Sequence, residues 1–488
     1  MPIATAVRNL LGRAIPASQT ATFINIFRPI GSSASCRLHK RFVFGRDDAS
    51  HMRSAASPSP LSQRLSQSRA QLLRGLVGLV CAGVLSSLLT IEAIAAESLL
   101  LQEAVQRSLA SNPLLAAEAA DLRSIQARAE RAGMPSPYIV GGELENFAGS
   151  GDLRGMRSSE TTLRLGRVLE LGGKQAARQA LGTAEVDRQR NMADAVRLDI
   201  ASRTTARFIE VAAGQQRLDF AREQVQLAER TRREVSNWVR AGRNPESDLG
   251  AAEITLAEAE LELGNAEREL ESAKVSLAAM WGAMTPDFQQ VSGDLSELSA
   301  VEPFETLAAR LPMTAAQRSA ALAARVAVAR RQVAQAGLRP DVNVSVGVRR
   351  VEALDDNALV MSLSVPLGNK PRASLAIEEA NADYEALVLR REAQLGESHR
   401  ELFEKYQELM HARTEYEALH ARMIPKADQA LQVSRRGFDA GRFSFLSLAQ
   451  AQRTLFDLRK RAVAAATRYH VLLVEIERLT TVFAEPQS

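Results

Sequence analysis

Four histidines follow residue 97: His399, His411, His420 and His470. Imidazoles hold a metal when two or more converge, typically three or four residues apart on one helix face. His411 and His420 stand nine residues apart, on different faces, and no His-x-x-x-His occurs. Such lone histidines read as surface or packing residues. The two cysteines, Cys36 and Cys81, both lie near the N-terminus, so the rest of the chain has neither a disulfide framework nor a thiol nucleophile. Gly172-Gly173-Lys174 carries a lysine after glycine but lacks the preceding glycine spacing of a phosphate-binding loop. No Ser/His/Asp constellation can be placed. These residues point away from an enzyme, a resident cofactor or a metal centre.

Composition points to long helices instead. The 488 residues carry 61 basic and 57 acidic side chains, a net charge of +4, and only 5% aromatics. Ala, Leu, Arg, Glu and Gln dominate from Ala176 onward, as in long packed helices. The pI near 9.2 reflects an excess of basic residues before residue 75, not a nucleic-acid footprint.

The N-terminal 96 residues read as an extension and secretion signal. Residues 75–89 (GLVGLVCAGVLSSLL) form an apolar run after Arg64, Arg69 and Arg74. Ala93-Ile94-Ala95-Ala96 supplies small residues for cleavage after Ala95 or Ala96. Met52 is a more natural start for such a signal than Met1. Bulky Val80 before Cys81 argues against lipid attachment at that cysteine.

The chain then repeats itself. Leu171-Gly172-Gly173-Lys174 recurs as Leu367-Gly368-Asn369-Lys370, Ala241-Gly242-Arg243 as Ala440-Gly441-Arg442, and Asn112-Pro113 as Leu311-Pro312. The offsets cluster near 200 residues, so the period is a whole structural unit. Residues 97–283 form the first repeat, 284–311 a linker with Pro and Gly, 312–482 the second repeat, and 483–488 a disordered tail. Each repeat reads as strand, strand, long helix, long helix. Strands are expected over 138–147 and 159–169, and again around 342–349 and 359–365. Val342, Val344, Val346 and Val348 alternate with Asn343, Ser345, Gly347 and Arg349. One apolar and one polar face over about ten residues is the pattern of a membrane-barrel strand. Gly172, Gly173 and Gly368 mark the strand-to-helix junctions, where glycine permits a sharp change of direction. Helices are expected over 175–239, 247–280, 373–438 (with Pro425 as a kink or break) and 446–480.

With these features in view, residues 98–482 resemble the TolC-like outer-membrane efflux family. The carrying features are Leu101-Gln102-Glu103-Ala104 with Asn112-Pro113, the doubled unit, and the turns at Gly242 and Gly441. Val168-Leu169-Glu170-Leu171-Gly172-Gly173-Lys174, followed by Arg178, is similar to the Czc-type heavy-metal branch. The resemblance implies a mixed, mostly α fold: a homotrimer with a 12-stranded outer-membrane β-barrel continued by a periplasmic α-helical barrel. It implies an exit duct in outer-membrane lipid that docks on a periplasmic adaptor and an inner-membrane pump of the resistance-nodulation-division class.

The resemblance also assigns candidate site residues. Gly242, Arg243, Gly441 and Arg442 match the periplasmic tips that meet the adaptor; the two arginines could equally serve the helix ends. Several family members narrow the tip with an aspartate ring just after the second turn. This chain has Ser447 and Gln450 there, and Glu246 and Asp248 after the first turn. A carboxylate constriction would come from the first repeat, though acids also suit a helix N-terminus in their own right. Drug efflux and polypeptide secretion remain alternatives. A periplasmic adaptor or coiled-coil scaffold is a distant one, because adaptors have one long hairpin and this chain has two.

Overall fold

The computed structural model describes residues 98–482. The secretion signal with its apolar run 75–89, the start at Met52, Cys36, Cys81 and the tail 483–488 lie outside the described residues.

The chain opens with β1 (Leu99–Leu100), α1 (Leu101–Ser111) and α2 (Pro113–Gly133). Asn112 separates the two helices. Its side chain accepts from the Leu114 amide at 2.9 Å, and Pro113 follows at the first helical position. Residues 101–133 thus form two helices and not one continuous one. β2 (Tyr138–Glu145) and β3 (Glu160–Leu169) form a hairpin, then α3 (Lys174–Arg240) and α4 (Glu246–Ala278) form a helical one. The 67 residues of α3 span about 100 Å at 1.5 Å per residue.

The connecting stretch carries β4 (Val291–Ser292) and α5 (Phe304–Ala308). The second half begins with α6 (Ala315–Ala336), then β5 (Val342–Val351), β6 (Asp356–Ser364) and α7 (Asn369–Ala418). A π-helical turn, Leu419–Met423, leads into α8 (Ile424–Asp439), and α9 (Phe445–Thr480) returns. The repeated unit thus has a helix ahead of each hairpin. The sequence reading omitted α6, although Leu322, Val326 and Ala329 form a buried helical stripe. The outgoing helix of the second repeat starts at Asn369. Pro371 stands in its first turn, where the missing N–H has no intrahelical partner anyway. Downstream, Pro425 cannot donate to the carbonyl of Ala421, and the backbone there widens into the π turn.

All four long strands form one antiparallel sheet, ordered β2-β3-β5-β6. The central β3–β5 pair joins the two repeats, with Leu165 opposite Val346 and Leu163 opposite Val348. One face is apolar and exposed. Val140, Leu165, Val346 and Met361 form a cross-strand row, and Leu163, Val348 and Leu359 form the next. The other face is polar: Glu143, Thr162 and Arg349 share a row, as do Ser345 and Ser362. Arg167 breaks the alternation on the apolar face at its helix end. Its guanidinium lies 4.9 Å from the Tyr138 ring centroid and its Nε donates to the Ser136 carbonyl at 3.0 Å. No described helix is long and apolar enough to cross a membrane.

The main helical core surrounds the middle of α3. Phe208, Ile209, Val211 and Ala212 meet Val105 of α1, Leu277 of α4 and Val463 and Ala466 of α9. A strap from the connecting stretch is fastened across it. The Gln215 amide accepts from Val291 N at 2.7 Å and donates to Val291 O at 3.1 Å, as a strand would. Tyr416 donates to the Ser296 carbonyl at 3.1 Å, Tyr469 to that of Ser299, and His470 Nε2 faces Leu295 O at 3.2 Å.

His470 is buried, and its Nδ1 has no partner. Burial lowers its pKa from 6.5, with the Leu295 carbonyl and Asp294 opposing. A lowered folded pKa means that stability is full above the unfolded value and falls as pH drops below about 6.5. Protection factors at amides 291–299 (exchange rates corrected for the intrinsic pH dependence) are expected to fall between pH 7.5 and pH 5. In His470→Gln that loss of protection should vanish, and an equal pH dependence of protection in both proteins would refute it.

Candidate functional site

The helical hairpins end in matching turns. Gly242 has φ +71° and Gly441 φ +69°, values that suit glycine because it lacks a Cβ. Arg243 N donates to the Trp238 carbonyl at 2.8 Å and Arg442 N to the Gly437 carbonyl at 2.8 Å, while the glycine amides bond Val239 O and Phe438 O. These are the αL caps expected at helix C-termini. The side chains of Arg243 and Arg442 are exposed.

Of the candidate constriction residues, Glu246, Asp248 and Ser447 stand in the first turns of the returning helices and Gln450 in the second turn of α9. Glu246 is exposed, and Asp248 is half-buried and accepts from Asn244 Nδ2 at 2.8 Å. Ser447 donates its backbone N–H to the Ser444 hydroxyl at 3.4 Å, and Gln450 is exposed. Ser444 supplies the side-chain cap of α9, and the N-terminus of α4, at Pro245, has no side-chain cap. Among the described residues no hydrogen bond or ion pair joins the first-repeat pair to the second-repeat pair.

Sequence reasoning missed the feature that binds the two tips together. Trp238 stacks on Phe438 with centroids 4.5 Å apart and planes at 24°. Phe445 meets the far side of Phe438 at 6.4 Å, and Val235, Ala252 and Leu448 complete a small buried cluster. Arg435 pairs with Glu234 across the same junction. Gln452 Nε2 donates to Thr231 Oγ1 at 3.2 Å just above. An aromatic residue three or four positions before each turn glycine was the available signal. Phe443 folds back over Gly437, where an added Cβ would fall 2.2 Å from its ring.

At the strand-to-helix junctions Gly172, Gly173 and Gly368 all have positive φ. Gly172 lies under Arg339, and a Cβ there would meet its side chain at 3.0 Å. Lys174 pairs with Asp341 at 2.6 Å, fixing the first junction to the second repeat. Arg178 pairs with Glu170 at 2.8 Å and donates from Nε to the Ala132 carbonyl at 2.6 Å. The Arg178 guanidinium holds the Glu170 carboxyl below the usual carboxylate range.

The polar strand face carries a second ionic arrangement, at the loop end of the sheet. Glu145 and Glu160 are direct cross-strand partners, a destabilising pairing of like charges. Arg349 resolves it, donating to Glu160 at 2.6 Å, Glu145 at 2.9 Å and Thr162 Oγ1 at 2.9 Å. One row further in, Arg164 pairs with Glu143. Among the described residues no group of His, Cys, Asp and Glu is placed to hold a metal ion.

Two expectations follow. Gly437→Ala should displace Phe443 and lower the unfolding midpoint, at a cost of about 1–3 kcal/mol typical of overpacking; an unchanged midpoint in detergent would contradict the packing. Arg349→Gln should destabilise by about 1–3 kcal/mol by leaving two facing carboxylates. Adding Glu145→Gln to that variant should recover most of the loss.

The family model described as outer membrane efflux protein matches residues 104–283 and 315–481. The chain is 30% identical over 397 residues to the cobalt-zinc-cadmium resistance protein CzcC of Cupriavidus metallidurans, covering 79% of this chain and 90% of that protein. Among solved structures it is similar to the outer membrane protein VceC of Vibrio cholerae, with TM-score 0.66, 18% identity and coverage of 79% and 97%. It is also similar to the open-state outer membrane channel MtrE of Neisseria gonorrhoeae, with TM-score 0.63, 18% identity and coverage of 80% and 93%. The resemblance read from the repeats and turns is borne out: this chain belongs to the outer membrane efflux protein family, and its place is the outer membrane.

Proposed function

We propose that this chain is the exit duct of a tripartite efflux system. Three copies close their four-stranded sheets into a 12-stranded barrel, and their long helices continue it as an α-helical tunnel through the periplasm. One observation carries this reading. The sheet exposes an apolar face, leaves both edge strands unpaired, and opens at one end onto helices of about 100 Å. A sheet immersed in lipid must close on itself so that every backbone group is satisfied. Residues 97–283 and 312–482 each supply one β-hairpin and one helical hairpin, and 284–311 belts them together.

The duct conducts passively and performs no chemistry. Its tips, at Gly242, Arg243, Gly441 and Arg442, meet a periplasmic adaptor that couples them to an inner-membrane resistance-nodulation-division pump. The exposed arginines offer positive charge to adaptor carboxylates. Glu246 and Asp248, tripled by symmetry, give the tip a ring of acids that attracts cations, with Ser447 and Gln450 beside it. Heavy-metal cations are the cargo, a reading supported by the similarity to CzcC across most of both chains. The scattered histidines leave selection of the metal to the pump and adaptor.

Growth of a deletion strain across cobalt, zinc, cadmium, nickel, copper, silver, dyes and antibiotics tests the cargo. Sensitivity to metals alone, restored by the intact gene, is expected. Sensitivity to dyes and antibiotics with normal metal tolerance would replace it with drug efflux.

A further inference from the structure

The strands end together on the helix side of the sheet. Leu169 faces Val342, and Asn343 faces Ser364. Three connections between sheet and helix therefore lie at one level: 170–173, 337–341 and 365–368. Apolar side chains are exposed in all three, at Leu171, Leu338 and Leu367. The acids at this level are already used. Glu170 pairs with Arg178, and Asp341 with Lys174. Basic groups are left over: Arg339, Lys370 and Arg372 are exposed and make no ion pair among the described residues.

Arg339 stands at a cavity. Between the start of α3 and the end of α6 lies an open space of about 440 Å³. Ala176 and Ala177 line it from α3, and Gln332, Gln335, Leu338 and Arg339 from the end of α6 and the turn that follows. Successive spacings of three and four residues put Gln332, Gln335 and Arg339 along one side of the chain. Among the described residues, neither carboxamide makes a hydrogen bond, and the guanidinium makes none either. The stem of Arg339 is held in place all the same. It runs against Gly172, whose φ of +79° suits glycine, and a Cβ there would come within 3.0 Å of Arg339 Cβ and 3.1 Å of its Cδ. The lining thus presents a positioned cation and two carboxamides, with no carboxylate among them.

A guanidinium suits a phosphate, which it can bind through two parallel N–H donors. Carboxamides add further donors, and the alanines and Leu338 suit the glycerol and the first methylenes of an acyl chain. The surroundings favour a headgroup with net negative charge. A zwitterionic one would bring its own ammonium beside Arg339, whereas an anionic one is attracted by all three unpaired cations.

We propose that the cavity between α3 and α6 binds the phosphodiester headgroup of an anionic phospholipid. Arg339 holds the phosphate, Gln332 and Gln335 donate beside it, and Leu338 meets the acyl chain. This rests on the duct reading, which sets the sheet in lipid and the connections at its periplasmic surface. A lipid seated there ties α3 to α6 where both meet the sheet, and it fixes the depth of the sheet in the bilayer.

Calorimetric titration of short-chain phosphatidylglycerol into the protein, purified from outer membranes in a neutral detergent, tests the site. Saturable binding at one lipid per chain is expected, tighter than for phosphatidylcholine of the same chain length. Arg339→Gln should weaken it by about tenfold or more, the loss of a charged hydrogen bond. Ala176→Trp leaves every charge in place but fills the cavity, and should weaken it likewise. Arg390→Gln removes an exposed charge about 30 Å from the connection along α7 and should leave the affinity unchanged. Wild-type affinity in both Arg339→Gln and Ala176→Trp would overturn the site, as would an equal loss in Arg390→Gln. Phosphatidylcholine binding as tightly would overturn the anionic headgroup. Displacement of the lipid by inorganic phosphate at similar concentration would make the ligand a soluble anion and overturn the lipid. Conductance in planar bilayers, recorded on the same preparation, separates this proposal from the duct reading. A conducting protein without headgroup preference would overturn the site and leave the duct standing, and a protein that never conducts would overturn both.

Discussion

Every backbone N–H and C=O in a sheet needs a partner, and this sheet has two open edges. β2 and β6 each pair on one side only, while the apolar rows through Val140, Leu165, Val346 and Met361 stand exposed. In water such a sheet invites aggregation at its edges. In a bilayer an open edge is costlier still, since no solvent can satisfy it. Closure with further strands resolves both problems. The duplicated arrangement of the chain fits this constraint: each repeat contributes one hairpin, β3–β5 pairing joins them, and each hairpin continues directly into a long helix. In the proposed barrel, the polar face toward which Arg349, Glu145 and Glu160 converge lines the enclosed space.

The helices face a related difficulty of length. A rod of 67 residues gains little from helix propensity alone and needs packing along its whole course. Small residues provide it. Gly182 lies against Ala129 so closely that a Cβ would stand 2.7 Å from its side chain, and Gly214 admits Leu270 of α4. Such contacts bring helix axes together without bulky side chains, which explains how the chain holds long bundles with few aromatics. The numerous surface ion pairs contribute less: exposed pairs are worth about 0–1 kcal/mol each. Their value lies in orientation, as where α9 directs Arg453 and Lys460 to one side of α4 and leaves the other side's acids free of ion pairs.

Much of this was legible in the sequence because two periods alternate within it. The clean alternation from Val342 to Arg349 and the unbroken helical stretch after Lys174 each follow from local geometry, and the recurrence of Gly242 as Gly441 fixed the repeat. What escaped was tertiary. Asn112 ends a helix because its side chain caps the next one, which periodicity alone does not reveal. α6 is built largely from alanine and arginine, so its buried stripe is faint beside the valines that follow. The Trp238–Phe438 stack joins residues 200 positions apart and shows only once the tips are side by side. The candidate constriction residues follow from the family resemblance and the match between repeats, and one chain leaves them near the starts of two separate helices, α4 and α9.

The repeats share an outline but not a stiffness. In the first, α3 runs without interruption from the sheet to the tip. In the second, the same distance is divided by the π turn before Pro425, where one residue more per turn leaves the hydrogen-bond ladder weaker. The strap crosses close by: Tyr416 donates to the Ser296 carbonyl while its ring lies parallel to that of His420, inside the turn, at 5.5 Å. The second-repeat hairpin is thus held firmly at the strap and irregular just tipward of it. The aromatic cluster of Trp238, Phe438 and Phe445 then ties its free end to the straight first-repeat hairpin. A displacement of α8 has to be accommodated at these two places, the irregular turn and the aromatic cluster, because the segments between them are regular helix packed against α9.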